Sequence, residues 1–298
     1  MISLQTNVTS LFAQEQLNTN DNFESNTIEQ LTSGYRINNS GDDAAGLAVA
    51  NGLQAEVAEL QQGVINAANG SSILQTMDGG LSNISNLLDR LETLATEGAS
   101  GTFSGSYTTL NNEFQSVLTE ITRQAGNIGL ASTTASGGLG TVTTSGTIGA
   151  SQYNTTPLAV FIGGGDANTA TDDQVTIDLT SNGGAGGNGV DSLGLGLSTS
   201  DVLNAGDAAT ALTAIQSAIT TLGTVQGKVG AGENLLNYAT NLANSQITNL
   251  TSSESSIKDA NVAAEAANLA KAQTLQQSSI AALAQANSMP EALLKLLQ

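Results

Sequence analysis

The chain has 298 residues, and its 26 acidic and 7 basic side chains give a formal net charge of −19. This charge excludes non-specific nucleic-acid binding, which needs clustered Lys and Arg against phosphates, and disfavours binding to anionic membranes. Cysteine and histidine are both absent, which excludes disulfides, thiolate metal sites and His-based catalysis.

Residues 1–34 and 260–298 carry scattered apolar side chains on a polar background. Their spacing is helical but weakly amphipathic, and isolated helices of this strength are marginal in water. We expect these ends to need partners, namely each other and neighbouring copies, and to fold on assembly. The residues assigned to this terminal assembly are Leu4, Leu11, Phe12, Leu283, Leu293 and Leu296.

The extreme N-terminus does not have the pattern of a cleaved secretory signal. Residues 1–7 lack a basic segment, since the first basic residue is Arg36, and no apolar segment follows. The sequence contains no run of about 20 apolar residues, so we expect no transmembrane helix. Export, if it occurs, is expected to use a route without a cleaved peptide.

A long helix is predicted to begin near residue 42. Ser40 and Asp43 have the spacing of a capping box, with Ser40 as the N-cap. Apolar residues then recur every seven positions from Leu53 to Ala95 without exception. This repeat predicts a rod packed at a shallow angle, and residues 43–97 would span roughly 80 Å.

The C-terminal flank mirrors this pattern, with a seven-residue apolar repeat from Ile215 to Ile257. The two repeats predict long antiparallel helical rods. The residues expected to form the core of the rods are Leu53, Leu60, Leu74, Leu81, Leu88, Ile215, Leu222, Val229, Leu236, Leu250 and Ile257.

The middle of the chain, residues 131–200, is rich in Gly, Ser and Thr and contains no Lys or Arg. Residues 174–180 alternate apolar and polar side chains and predict a strand, and residues 157–162 and 139–148 are further candidates. The fold class is therefore mainly α, with a small β-rich central outer region.

Catalytic and cofactor sites are not predicted anywhere in the chain. The adjacent acids Asp42/Asp43 and Asp172/Asp173 are the only candidates for a carboxylate pair, and they are better explained by helix capping and by a loop. The Gly-rich stretches lack the ending of a phosphate-binding loop. We expect no cofactor and no metal.

Several long motifs resemble the bacterial flagellins. At the N-terminal side these are residues 31–38 (LTSGYRIN), 42–51 (DDAAGLAVAN) and 67–77 (AANGSSILQTM). At the C-terminal side they are residues 256–261 (SIKDAN), 270–277 (AKAQTLQQ) and 284–287 (AQAN). The resemblance covers roughly residues 1–130 and 201–298.

The resemblance implies a subunit that is exported as an unfolded chain and self-polymerises into the extracellular flagellar filament for motility. It also implies a flagellar export chaperone, filament cap and hook-associated proteins as partners. The domains would be an inner terminal-helix domain (1–41 with 258–298), a helical rod domain (42–130 with 201–257) and the variable outer region (131–200).

One recognition site can be carried over from the family. In some flagellins a Toll-like receptor of innate immunity reads the first rod and the helix after it, and Arg90, Leu94 and Glu113 occupy matching positions. Glu92 and Thr93 depart from the family pattern nearby. We therefore favour packing between subunits for Arg90 and Glu113.

Three alternatives remain at this stage. A hook–filament junction protein shares weaker versions of the terminal motifs, although the match through the C-terminal end favours a filament subunit. A secreted coiled-coil adhesin would not carry the paired terminal motifs. A filament subunit with an enzymatic insertion is disfavoured by the absence of His and Cys from the middle.

Overall fold

A computed structural model describes residues 7–132, 153, 157–163, 173–180 and 189–296, without the side chains from residue 290 onward. The candidate strand 139–148 lies outside these residues. The chain forms two compact units, the first comprising Met1–Val57 with Thr248–Gln298 and the second Ala58–Ile247.

Helices dominate the described residues, and two short strands form a hairpin. The elements in chain order are α1 (Val8–Ser33), α2 (Ala44–Ala99), α3 (Tyr107–Asn127), β1 (Leu158–Phe161), β2 (Gln174–Ile177), α4 (Ala205–Lys258) and α5 (Val262–Leu296). The strands are antiparallel, with Leu158 opposite Ile177 and Phe161 opposite Gln174.

Short polar side chains cap the N-termini of α1, α2, α4 and α5, whereas Ser106 at the start of α3 makes no side-chain cap. The side-chain oxygens of Asn7, Asp43, Asn204 and Asn261 each accept a hydrogen bond from a backbone N–H in the first turn that follows. The predicted capping box at Ser40 is therefore wrong: α2 begins at Ala44, and the Asp43 carboxylate accepts from Gly46 N–H at 2.8 Å. Asp43 is preferred because its short carboxylate reaches the free N–H groups directly.

The core of the second unit lies between antiparallel stretches of α2 and α4. A Cβ built on Gly98 would lie 3.2 Å from the Ala208 Cβ, and one built on Gly70 would lie 3.2 Å from Leu236 Cδ1. The end of α2 therefore meets the start of α4. Helix α3 adds a buried apolar face that consists of Leu110, Phe114, Leu118, Ile121 and Ala125.

The hairpin packs directly on these helices. A Cβ built on Gly63 would lie 1.7 Å from the carbonyl oxygen of Ile162, so only a glycine lets the end of β1 approach α2 this closely. The side chain of Ile177 in β2 packs against Gly232 of α4, where its Cγ2 would lie 2.8 Å from a Cβ. The described part of the predicted outer region thus includes residues buried in the core, among them Leu158, Val160, Ile162, Ile177, Leu179 and Val190.

In the first unit, α1 and α5 run antiparallel. The side-chain amide of Asn7 donates to the carbonyl oxygen of Ala286 at 2.8 Å, and that of Asn20 donates to Ser279 Oγ at 2.6 Å. The mainly helical class with a small β-rich region, predicted from the sequence, is confirmed.

One described helix, α4, is long and apolar enough to span a membrane when judged by length and composition alone. Its buried residues recur every three to four positions from Ala208 to Leu236. This periodicity is typical of a helix with one face in a protein core.

Candidate assembly site

The most deeply buried side chains between α1 and α5 are small or polar. The buried residues of α1 are Asn20 and Thr27, and those of α5 are Ala272, Ser279 and Ala286. They recur at seven-residue intervals, which places each set on one side of its helix. Hydrogen bonds that the side-chain amides of Asn7 and Asn20 donate therefore replace part of the apolar packing that usually joins two helices.

Several large apolar side chains of the same helices are exposed, whereas Leu17, Leu31, Leu269 and Leu283 are half-buried. In α1, Val8 is 66% exposed, Leu11 63% and Phe12 69%. In α5, Ile280 is 53% and Met289 48% exposed. An ordinary helical pair buries its largest apolar side chains most completely, whereas in this pair the fully buried residues are small or polar and several large apolar side chains are exposed. An apolar surface of this kind marks an interaction site.

The connections at the ends of α1 and α4 are tied together. Gly34 ends α1 with a φ of 76°, which places it in the left-handed region that glycine tolerates. Arg36 N–H donates to the carbonyl oxygen of Lys258 at 2.7 Å, and Ala260 N–H donates to that of Gly34 at 2.9 Å. This strand-like pairing joins the residues that follow α1 to the residues that precede α5, so it sets the point at which the contact between the two helices starts.

Two cations strengthen this connection. The Arg36 guanidinium donates to the carbonyl oxygen of Ile257 at 2.7 Å, which satisfies one of the free carbonyls at the end of α4. Lys258 Nζ lies 4.8 Å from the centroid of the Tyr35 ring and 4.0 Å from Glu254 Oε1. Positive charge at a helix C-terminus is favourable because it opposes the helix dipole.

Only some of the residues assigned to terminal assembly are described. Leu11 and Phe12 are exposed, and Leu283 is half-buried. Leu4 lies outside the described residues, and the side chains of Leu293 and Leu296 are not described.

The residues predicted for the rod core fall into two groups. In the second unit they are at most 2% exposed, and they are Leu60, Leu74, Leu81, Leu88, Ile215, Leu222, Val229 and Leu236. In the first unit Leu53, Leu250 and Ile257 are half-buried.

The three residues of the predicted receptor site do not share one environment. Arg90 Nε donates to Glu113 Oε1 at 3.0 Å, and both side chains are about half exposed. Leu94 is buried in the core of the second unit at 1% exposure. Only Arg90 and Glu113 therefore offer a surface for a partner.

The sequence predicted that the two ends need each other as partners, but it did not identify the buried residues between α1 and α5. These residues are small or polar, so a pattern of apolar side chains does not reveal them. The seven-residue spacing of Ala272, Ser279 and Ala286 is the signal that could have identified them. Among the residues that the structure describes, no cluster of three or more acidic side chains could hold a metal ion.

Comparison with known proteins places the chain in a family. The profile of the "Bacterial flagellin N-terminal helical region" matches residues 4–155, and that of the "Bacterial flagellin C-terminal helical region" matches residues 212–297. The flagellin of Listeria monocytogenes is 32% identical over 99% of both chains. The flagellin of Bacillus subtilis is 29% identical over 98% of both chains.

A solved structure is also similar. The crystal structure of Bacillus cereus flagellin aligns with a TM-score of 0.42 at 23% identity, over 64% of this chain and 93% of that chain. The family matches and the named relatives do not favour the hook–filament junction alternative. The chain belongs to the bacterial flagellins, the structural subunits of the extracellular flagellar filament.

Proposed function

We propose that the paired helices α1 and α5 are the element through which copies of this filament subunit polymerise. The observation that supports this role is the burial pattern of the pair, which buries small and polar side chains most completely and exposes Leu11, Phe12 and Ile280. Neighbouring copies would cover the exposed apolar side chains, and the burial of that surface would drive assembly.

The weakness of the isolated pair suits this role. Its interface depends on small side chains, so the pair gains little stability before neighbouring copies cover its outer surface. We propose that the pair frays in the free subunit and becomes ordered in the filament. A chain with fraying ends is also easier to export in unfolded form.

Deletion of residues 260–298 tests the proposal, because it removes α5 and leaves the second unit intact. The truncated chain should keep the cooperative melting of the second unit and should form no filaments by negative-stain microscopy. The full chain, carried through the same purification, is the control. Filaments of normal diameter from the truncated chain would overturn the proposed role of the pair.

Further partners follow from family membership. We propose that an export chaperone binds the C-terminal region, where α5 exposes Ile280 and Met289, and that cap and hook-associated proteins meet the subunit at the ends of the filament. We propose no catalytic role. Chaperone binding predicts a stable complex with the full chain that the 260–298 deletion abolishes.

The exposed Arg90–Glu113 ion pair is proposed to serve contacts between subunits rather than recognition by an immune receptor. With Leu94 buried, the surface left for a receptor is small. The parent protein should give only background signalling through the Toll-like receptor. Arg90→Ala should weaken the filaments and leave this signalling unchanged. Strong signalling by the parent that Arg90→Ala removes would favour the receptor instead.

A further inference from the structure

A second apolar surface lies on α4, in the second unit. Leu235 is 50% exposed, Tyr238 72% and Leu242 61%. Their spacing of three and four residues places them on one side of the helix, and we call them the α4 ridge. Nothing in the described part of the second unit covers this side.

The surroundings of the ridge carry no charge. Residues 234–247 of α4 and residues 60–77 of α2, which pair with each other, contain no Asp, Glu, Lys or Arg. The chain as a whole carries a net charge of −19. Two copies of such a chain repel each other, so they approach at the lowest cost where both surfaces are uncharged.

A shallow apolar groove lies between the same parts of α2 and α4. Its volume is about 280 Å³, whereas a cavity of about 150 Å³ is enough to hold a benzene ring. The groove is lined by Val64, Ala67, Ala68 and Ser71 from α2 and by Leu236, Asn237 and Thr240 from α4. The small side chains leave room for an aromatic ring, and the polar ones can bond to a phenol hydroxyl.

The ridge cannot fill the groove of its own chain. Tyr238 and Thr240 are two residues apart, which separates them by about 200° around the helix axis. The ridge and the groove are therefore on different sides of α4. A contact between the ridge of one copy and the groove of the next is heterologous, and repetition of such a contact produces an open assembly rather than a closed dimer.

We propose that the α4 ridge docks into the groove of a second copy of this chain, with Tyr238 as the central side chain. The three ridge side chains expose roughly 350 Å² together, well below the 800 Å² or so per partner of a stable complex. The contact is therefore too small to dimerise free subunits. It adds to other contacts in the filament, and it rests on membership of the filament-forming family rather than on the role of α1 and α5.

Photo-crosslinking from position 238 tests the contact. Tyr238 is replaced by p-benzoylphenylalanine, the variant is copolymerised with an excess of the parent chain, and crosslinked peptides are mapped. We expect crosslinks between chains from position 238 to the α2 segment 64–71, present in filaments and absent from free subunits. No crosslink between chains, or a crosslink only between two ridges, would overturn the proposal.

A pair of substitutions gives an independent measurement. Tyr238→Ser should raise the critical concentration for polymerisation about tenfold, and Asn241→Ser, at a neighbouring exposed position, should change it less than twofold. The free subunits of both variants should melt at the same temperature as the free parent subunit. An unchanged critical concentration for Tyr238→Ser would overturn the proposal. The role of α1 and α5 is judged separately, by the truncation of residues 260–298.

Discussion

The substitution Phe12→Ser tests whether the outer surface of the α1/α5 pair drives assembly. Phe12 is 69% exposed in the single chain. An aromatic side chain presents about 200 Å², so about 140 Å² remains available for burial between copies. At about 25 cal/mol per Å², this burial contributes at most about 3.5 kcal/mol to each subunit that is added.

Loss of this contribution should raise the critical concentration for polymerisation by up to a few hundred-fold, since each 1.4 kcal/mol corresponds to a factor of ten. The free subunit should change by less than about 0.5 kcal/mol, because the side chain is exposed there. Sedimentation of filaments over a concentration series measures the first quantity, and circular dichroism melting measures the second.

Gln14→Ser is the matched control, because Gln14 is an exposed polar residue of the same helix. It should leave the critical concentration within about twofold of the parent. If Phe12→Ser also polymerises at the parental concentration, the exposed apolar surface of α1 is not an assembly contact and the reasoning fails.

Three further predictions concern packing and charge. Gly63→Ala should destabilise the second unit by about 1–3 kcal/mol in a melting experiment, because its Cβ would lie 1.7 Å from the carbonyl oxygen of Ile162. The control is Gly79→Ala, where the space is open. This control should be neutral or stabilising by up to about 1 kcal/mol in the same experiment. Burial raises the pKa of the Asp191 carboxyl, whose Oδ2 has no hydrogen-bond partner among the residues that the structure describes. The contribution of this protonation to stability is complete below the unfolded-state pKa and is lost as the pH rises through the folded-state pKa. Asp191→Asn should therefore add about 1–2 kcal/mol at pH 7, and the gain should disappear below about pH 4 when melting is followed against pH. Because each copy carries a net charge of −19, raising the salt concentration should lower the critical concentration; an unchanged or higher value would show that repulsion between copies does not limit assembly.

The long helices could be predicted from the sequence because their signal is local and repeated. The interval of seven residues from Leu60 to Leu88 and from Ile215 to Leu236 coincides with side chains that are almost fully buried. A periodic pattern of large apolar residues is sufficient to identify such a core.

Other features depend on contacts between distant residues, and the sequence did not reveal them. Nothing in the sequence around Gly63 shows that the end of β1 will lie against it. Asn20 and Ser279 meet across the α1/α5 interface although they are far apart in the chain. Ser40 and Asp43 were both plausible caps by residue type, and only the backbone geometry distinguishes them.

The central claim is that the outer surface of the α1/α5 pair becomes buried between copies. The chain contains no cysteine, so Leu11→Cys introduces a single thiol at a position that is 63% exposed in the free chain. The variant is copolymerised with an excess of the parent chain and treated with a thiol-reactive probe, and Gly101→Cys in an exposed turn serves as the control.

The account predicts rapid labelling of position 11 in free subunits and strong protection in filaments, with little change at the control position. Equal labelling of position 11 in free subunits and in filaments would contradict it.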